Sequence, residues 1–189
     1  GAYRLSAAII TDDLDRRGFI YEGDSAIPIE RATLGYVVVP WLGSTAGATE
    51  INAILGEQIR LVGFNVEGEV VPGGGVDVNL YWEAVRPLDD LKAVYHVFVH
   101  LLDQNGNFVT QHDGRPVGGR YPLQAWAPGD VVLDTHPLVL PPDLPAGTYR
   151  LQTGMYTWPD FTRLPVQDAE GVAQPDGVVI LGELVVGGD

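Results

Sequence analysis

The chain has no cysteine, which removes disulfides, thiolate metal sites, iron–sulfur clusters and thiol chemistry from consideration. Basic residues are scarce. Eleven Lys and Arg against 25 Asp and Glu leave a net charge of −14, and Lys92 is the one lysine. A surface that acidic repels phosphate backbones and anionic lipid, so neither nucleic acid nor a membrane surface is an expected partner. Long apolar runs are missing too. A membrane-spanning helix needs roughly 18–20 apolar residues, and the longest stretches here, 36–42 and 94–102, are broken by Pro40 and by histidines. No leader pattern opens the sequence; it starts at Gly1 inside strand-like sequence, as expected of a piece of a longer protein. Sustained helical periodicity is absent. What is abundant is 24 glycines and 14 prolines, too many for a helical bundle and too aperiodic for collagen. A chain of 189 residues is one generous domain, or one domain and part of another.

The strand signals are strong. Residues 76–85, Val-Asp-Val-Asn-Leu-Tyr-Trp-Glu-Ala-Val, alternate apolar and polar side chains, the period of a half-buried strand. Stretches 91–102, 131–140 and 148–158 are rich in β-branched and aromatic residues. Turn sequences separate them at 72–75, 103–107, 127–130 and 141–147. Strands are expected near 57–66, 76–85, 92–102, 107–112, 131–140, 148–157, 163–167 and 178–186. Eight such segments predict an all-β, antiparallel β-sandwich, jelly-roll-like, with extra N-terminal strands. The one helix candidate is 48–55.

The sequence also repeats itself. Gly1-Ala-Tyr-Arg-Leu5 matches Gly147-Thr-Tyr-Arg-Leu151, and in the same register Thr11 matches Thr157 and Arg17 matches Arg163. After a slip of one residue, Leu34-Gly35 matches Leu181-Gly182 and Val38-Val39 matches Val185-Val186. The expected organisation is therefore closing strands of a partial upstream repeat at 1–40, a linker at 41–49 and a complete β-sandwich at 50–189. Strands without the rest of their sandwich expose edges, so those of 1–40 are expected to pair with the complete domain or with another chain as a homodimer.

Candidate chemistry is sparse. His96 and His100 have a helical ligand spacing, but Val97-Phe98-Val99 between them favours a strand. Four strand residues span about 13 Å, too far for two imidazoles to share one ion. His112-Asp113 and Asp134-Thr-His136 have the composition of acid/base pairs, yet serine is scarce and no G-x-S-x-G elbow accompanies them. Asp103-Gln-Asn-Gly-Asn107 carries alternating oxygen side chains like the start of a calcium loop. It lacks the later glycine and glutamate, so a hairpin turn with Asn105-Gly106 at its tip is the competing reading. Trp126 and Trp158 lie beside turns, where tryptophans plug the ends of sandwiches.

Face alternation places Val76, Val78, Leu80, Trp82 and Ala84 in the core, with Asn79, Tyr81 and Glu83 outside. On the next strand Tyr95, Val97, Val99 and Leu101 point inward and His96, Phe98 and His100 outward. Leu151 and Met155 point inward, Arg150, Gln152 and Tyr156 outward. If these strands share a sheet, its outer face combines aromatic rings with planar hydrogen-bonding groups, a surface suited to sugars. These nine outward residues form the expected ligand-binding set. The competing expectations are a solvated face or one packed on a neighbouring domain.

A series of phrases carries a family resemblance: Leu55-Gly-Glu-Gln-Ile-Arg-Leu-Val-Gly63, Leu80-Tyr-Trp82, Tyr95-His-Val-Phe-Val-His-Leu-Leu-Asp103, Gln111-His-Asp113, Tyr121-Pro122, Trp126-Ala-Pro-Gly-Asp130, Leu144-Pro-Ala-Gly-Thr-Tyr-Arg-Leu151 and Arg163-Leu-Pro165. In this order they resemble the soluble C-terminal β-sandwich domains of bacterial multi-spanning membrane proteins of the protein-mannosyltransferase-like glycosyltransferase type. The resemblance implies an extracytoplasmic setting, attachment to a larger membrane protein and a glycan-related context. It supplies no catalytic residues. The expectation is a non-catalytic accessory module without metal or cofactor, binding a glycan or a neighbouring domain. A structural spacer is the first alternative, and a hydrolase or metal enzyme using His112, Asp113, Asp134 and His136 the second.

Overall fold

The computed structural model describes residues 43–88 and 93–187, together with the backbone of 19–22 and 25–28. The chain divides into two compact units, Gly1–Val39 and Pro40–Asp189. In the first, the described backbone is an antiparallel hairpin of β1 (Phe19–Glu22) and β2 (Ser25–Pro28). The other strands expected within 1–40, and their expected pairing within or between chains, lie outside the described residues.

The second unit contains β3 (Thr49–Leu55), β4 (Ile59–Gly68), β5 (Gly75–Ala84), β6 (Val94–Leu102), β7 (Phe108–Gly114), β8 (Val131–Val139), β9 (Gly147–Trp158), β10 (Thr162–Arg163), β11 (Val166–Gln167), β12 (Ala173–Gln174) and β13 (Val179–Val186). One sheet runs β12-β11-β3-β4-β5-β8. In the other, β9 is central, with β6 and then β7 on one side and β13 and β10 sharing the opposite side. All these strand pairings are antiparallel, and the two sheets pack face to face as a β-sandwich. Among the described residues, no helix is long and apolar enough to cross a membrane.

Alternation builds the core. Val76, Val78, Leu80, Trp82 and Ala84 of β5 meet Val97, Val99 and Leu101 of β6 and Leu151 and Met155 of β9, all buried. Each large apolar side chain removed from water stabilises the fold by roughly 1.5–3 kcal/mol. Residues 49–55, the helix candidate, instead form strand β3. Asn52 takes a left-handed backbone conformation (φ 58°) and the register with β4 shifts between Glu50 and Ala53. The inserted residue breaks the period of two and leaves Ile51, Ile54 and Leu55 at a spacing that imitates a helix.

The 103–107 segment is the β6–β7 hairpin turn. Asp103 Oδ1 accepts the backbone N–H of Asn105 and of Asn107, both at 2.8 Å, and its Oδ2 accepts the Asn107 side-chain amide at 2.9 Å. Gly106 supplies the positive φ of 82°. Those donors hold the Asp103 carboxyl below its ordinary value. Trp126 is buried in the β7–β8 connection and donates its indole N–H to the Tyr121 carbonyl at 3.2 Å.

Candidate functional site: an aromatic ridge on the five-stranded sheet

The nine expected ligand residues do not share a face. β5 belongs to the six-stranded sheet and β6 and β9 to the other, so Asn79, Tyr81 and Glu83 are separated by the sandwich from His96, Phe98, His100, Arg150, Gln152 and Tyr156. This corrects the single-sheet premise. Alternation within each strand was readable, but sheet membership depends on where the chain crosses over between β5 and β6. On the six-stranded sheet, the polar groups satisfy one another. Arg60 pairs with Glu83 at 2.8 Å, and the Thr135 hydroxyl donates to Asn79 at 2.7 Å. Tyr81 is buried, and the backbone at Gly43 lies against its ring; a Cβ there would sit 3.1 Å from Tyr81 Cδ1.

The other six residues do come together. Register places His96 opposite Tyr156, Phe98 opposite Gly154, His100 opposite Gln152 and Leu102 opposite Arg150. On the other flank Phe98 faces Asp113 and His100 faces Gln111 of β7. Rings then run across the sheet in sequence. Phe108 meets His100 edge-on at 4.8 Å, His100 lies 4.6 Å from Phe98, and Phe98 lies 6.4 Å from Tyr156. Tyr156 stacks on Phe161 at 5.5 Å, Phe161 meets Trp158 edge-on at 5.0 Å, and Trp158 stacks flat on His96 at 5.3 Å, 6° from parallel. Arg163 places its guanidinium 4.7 Å over the Phe98 ring while donating to the Asp176 carbonyl.

This ridge is sealed in the middle and open at its ends. Phe98 and Tyr156 are buried, whereas Phe108 is 60 % exposed, Phe161 61 % and Trp158 46 %. Gly154 makes the sealed part possible, because a Cβ there would lie 2.5 Å from Phe98 Cζ. Trp158 therefore does not plug the sandwich end as expected. It stands on the outer face of the sheet because it follows Tyr156 by two residues on β9, and the β9–β10 turn then brings Phe161 back onto Tyr156. Phe161 escaped the sequence reading; its signal was an aromatic residue on each side of the Pro159-Asp160 turn.

Polar groups line the ridge. His100 Nε2 donates to Asp113 Oδ1 at 3.2 Å, while His100 Nδ1 is buried without a hydrogen-bond partner. Burial pushes the Asp113 carboxyl up, but the hydrogen bond and charge of His100, with help from Tyr156 and His112, outweigh it and hold Asp113 below its ordinary value. Burial and the charge of Arg115 push the His96 imidazole down, against an opposing pull from Asp113. Burial, then Asp113, raise the Tyr156 phenol. The face is therefore lined by rings with the Asp113 carboxylate and the Arg163 guanidinium set among them.

The suspected acid/base residues assemble in part. On the inner side of the β7 and β8 edges, His112 Nδ1 and His136 Nδ1 lie 2.9 Å apart, and His136 Nε2 donates to Asp134 Oδ2 at 2.9 Å. Asp134 also accepts the indole N–H of Trp82 at 3.2 Å and the backbone N–H of Val117 at 2.7 Å. With Nε2 of His136 turned to Asp134, its Nδ1 is the atom that meets His112. Asp113 points to the opposite side of β7, onto His100. Three of the four residues thus form a line that joins the two sheets, and the fourth belongs to the ridge. Among the described residues, no three His, Asp or Glu side chains gather as a metal-binding group.

No protein-family model matches the sequence, and no curated protein matches it. Among solved structures, the chain is similar to the C-terminal domain of wzt, at 13% sequence identity and a TM-score of 0.47, covering 79% of this chain and 83% of that one.

Proposed function

We propose that this chain is a non-catalytic binding module whose ridge on the five-stranded sheet takes a carbohydrate. The observation that carries the reading is the exposed pair of rings, Trp158 and Phe161, set edge to face beside His96 and Arg163. Sugar rings present apolar C–H faces that stack on aromatic planes and equatorial hydroxyls that need planar hydrogen-bonding partners. Exposed apolar rings on a sheet face otherwise lose stability to no purpose. The phrases of sequence that resemble the tail domains of membrane glycosyltransferase-like proteins support an extracytoplasmic accessory role beside such a protein. The Asp134–His136–His112 line belongs to the framework in this reading, since Asp134 is saturated by three donors within the fold.

The test is a glycan array followed by calorimetry on the intact chain. Binding is expected to fall about two- to tenfold in Trp158→Ala and in Phe161→Ala, the loss of one stacking contact, and to persist in Thr135→Ala on the opposite face. Absence of binding to any glycan, or equal binding by all variants, sinks the reading.

A further inference from the structure

The hairpin of the first unit adds a structural observation to the sequence repeat. β1 pairs with β2 so that Ile20 faces Ile27 and Tyr21 faces Ala26. β11 pairs with β12 so that Val166 faces Gln174 and Gln167 faces Ala173. Shifted by 146 positions before the turn and 147 after it, the two registers coincide: Ile20 maps on Val166, Tyr21 on Gln167, Ala26 on Ala173 and Ile27 on Gln174. The one-residue slip that the sequence requires falls inside the loop of this hairpin, where a change of length costs least. Register in a hairpin is fixed by side-chain alternation and loop geometry, so two unrelated strand pairs would match it only by accident.

The correspondence covers exposed Arg150, Arg163 and Val185, which recur as Arg4, Arg17 and Val38, and much of the buried face. Apolar positions that β9 and β13 turn into the core are kept in kind, whereas buried Thr153 corresponds to Ala7: Tyr149 and Leu151 recur as Tyr3 and Leu5, Met155 as Ile9, and Leu181 and Val186 as Leu34 and Val39. Gly182, at the β13 bulge with a φ of 150° that favours glycine, recurs as Gly35. The rings of the ridge do not recur, although Arg163 does, as Arg17. Tyr156, Trp158 and Phe161 correspond to Ile10, Asp12 and Asp15, and Gly154 corresponds to Ala8.

We propose that residues 1–39 are the closing strands of a second sandwich of the same design, one that keeps the core but lacks the aromatic ridge. Ligand stacking is then a property of the second copy alone. That consequence rests on the carbohydrate reading above; the repeat itself does not. The retained skeleton and the replaced rings together describe duplication followed by divergence of a single face. A further consequence concerns size. A Cβ at position 154 would meet the Phe98 ring at 2.5 Å and the Gly177 carbonyl oxygen at 2.6 Å, so a copy with Ala8 there requires both a smaller counterpart of Phe98 and a shifted backbone at the counterpart of Gly177.

Segment exchange tests the proposal in the full chain. Residues 147–186 are replaced by a duplicate of residues 1–39, once unaltered and once with Ala8→Gly in the graft to readmit Phe98. If the segments are equivalent, at least the Ala8→Gly graft unfolds in one cooperative thermal transition with the parent's β-sheet circular dichroism. Grafts that both lack a cooperative transition overturn the proposal. Sugar binding is read separately, on an otherwise intact chain carrying Tyr156→Ile, Trp158→Asp and Phe161→Asp, the residues of the first copy. Binding at the parent's affinity in this triple variant overturns the assignment of the ligand face to the second copy. A parent that binds no glycan removes the carbohydrate reading, and the folding of the grafts still decides the repeat.

Discussion

Two histidine–aspartate pairs occupy this sandwich, and they differ in almost everything except chemistry. Asp134 and His136 lie between the sheets with side chains 1 % exposed each, and every oxygen of the carboxylate has a donor. Asp113 and His100 lie on the outer face, 29 % and 7 % exposed, at the longer distance of 3.2 Å, with His100 Nδ1 left without a partner. A buried carboxylate whose donors come from three parts of the chain is a fastener: Trp82 from β5, Val117 from the β7–β8 connection, and His136, which carries the link on to His112 in the opposite sheet. A carboxylate at a face, itself 29 % exposed, keeps capacity for something outside the protein, while the idle nitrogen of its imidazole stays buried among the rings. Residue type did not make the distinction; position in the layers did.

Removing each carboxylate should separate the roles. Asp134→Ala strands the Trp82 indole, the Val117 amide and His136 inside the fold, and leaving buried polar groups unpaired costs about 1–3 kcal/mol apiece. We expect a total loss of about 3 kcal/mol or more, measured by denaturant unfolding. A loss below about 1 kcal/mol would show that the line joining the sheets does not fasten them. Asp113→Ala, at a partly solvated site, should cost only about 1 kcal/mol while changing the affinity for any ligand of the ridge.

Acid should weaken the fold through His112. Burial, then the neighbouring charge of His136, push its imidazole below the ordinary 6.5, against weaker upward pulls from Asp134 and Asp113. Just below pH 6.5 the unfolded chain therefore binds more protons than the folded one. The stability this depressed value contributes is complete above 6.5 and is lost as pH falls through the lower folded value. His96 is depressed in the same direction, while the lowered carboxyls Asp103 and Asp113 act only below their ordinary 3.8. Unfolding free energy should decline between pH 7 and pH 5, and His112→Gln should reduce that slope without abolishing it. An unchanged slope in the variant would remove His112 from the account.

Much of this was legible in the sequence. The alternation of 76–85 gave the buried face of β5 residue by residue, and Asn105-Gly106 marked the hairpin tip. Three things were not legible, each for a physical reason. A bulge at Asn52 reset the period of β3 and disguised a strand as a helix. The crossover from β5 to β6 divided the expected ligand residues between two sheets, which no local pattern records. The contact of His112 with His136 joins edge strands of different sheets, so neither residue's neighbours announce it. Outward-facing residues were also assumed to be exposed, yet Phe98 and Tyr156 are buried on an outer face because their own neighbours cover them.

The smallest expected change in stability belongs to the residue with the largest expected role in binding. Trp158 is 46 % exposed and touches the fold through His96 and Phe161. Truncating it opens no cavity in the core. It forfeits two ring contacts worth about 0.5–1.5 kcal/mol each at most, and part of that returns as exposed apolar surface is removed. Trp158→Ala should therefore shift the unfolding free energy by no more than about 1 kcal/mol, the centre of the distribution for point substitutions. The opposite pattern is expected of Trp82, whose truncation should cost about 3–5 kcal/mol. If Trp158→Ala were as destabilising as Trp82→Ala, its ring would be part of the framework, and the ridge would lose its claim to an outside partner.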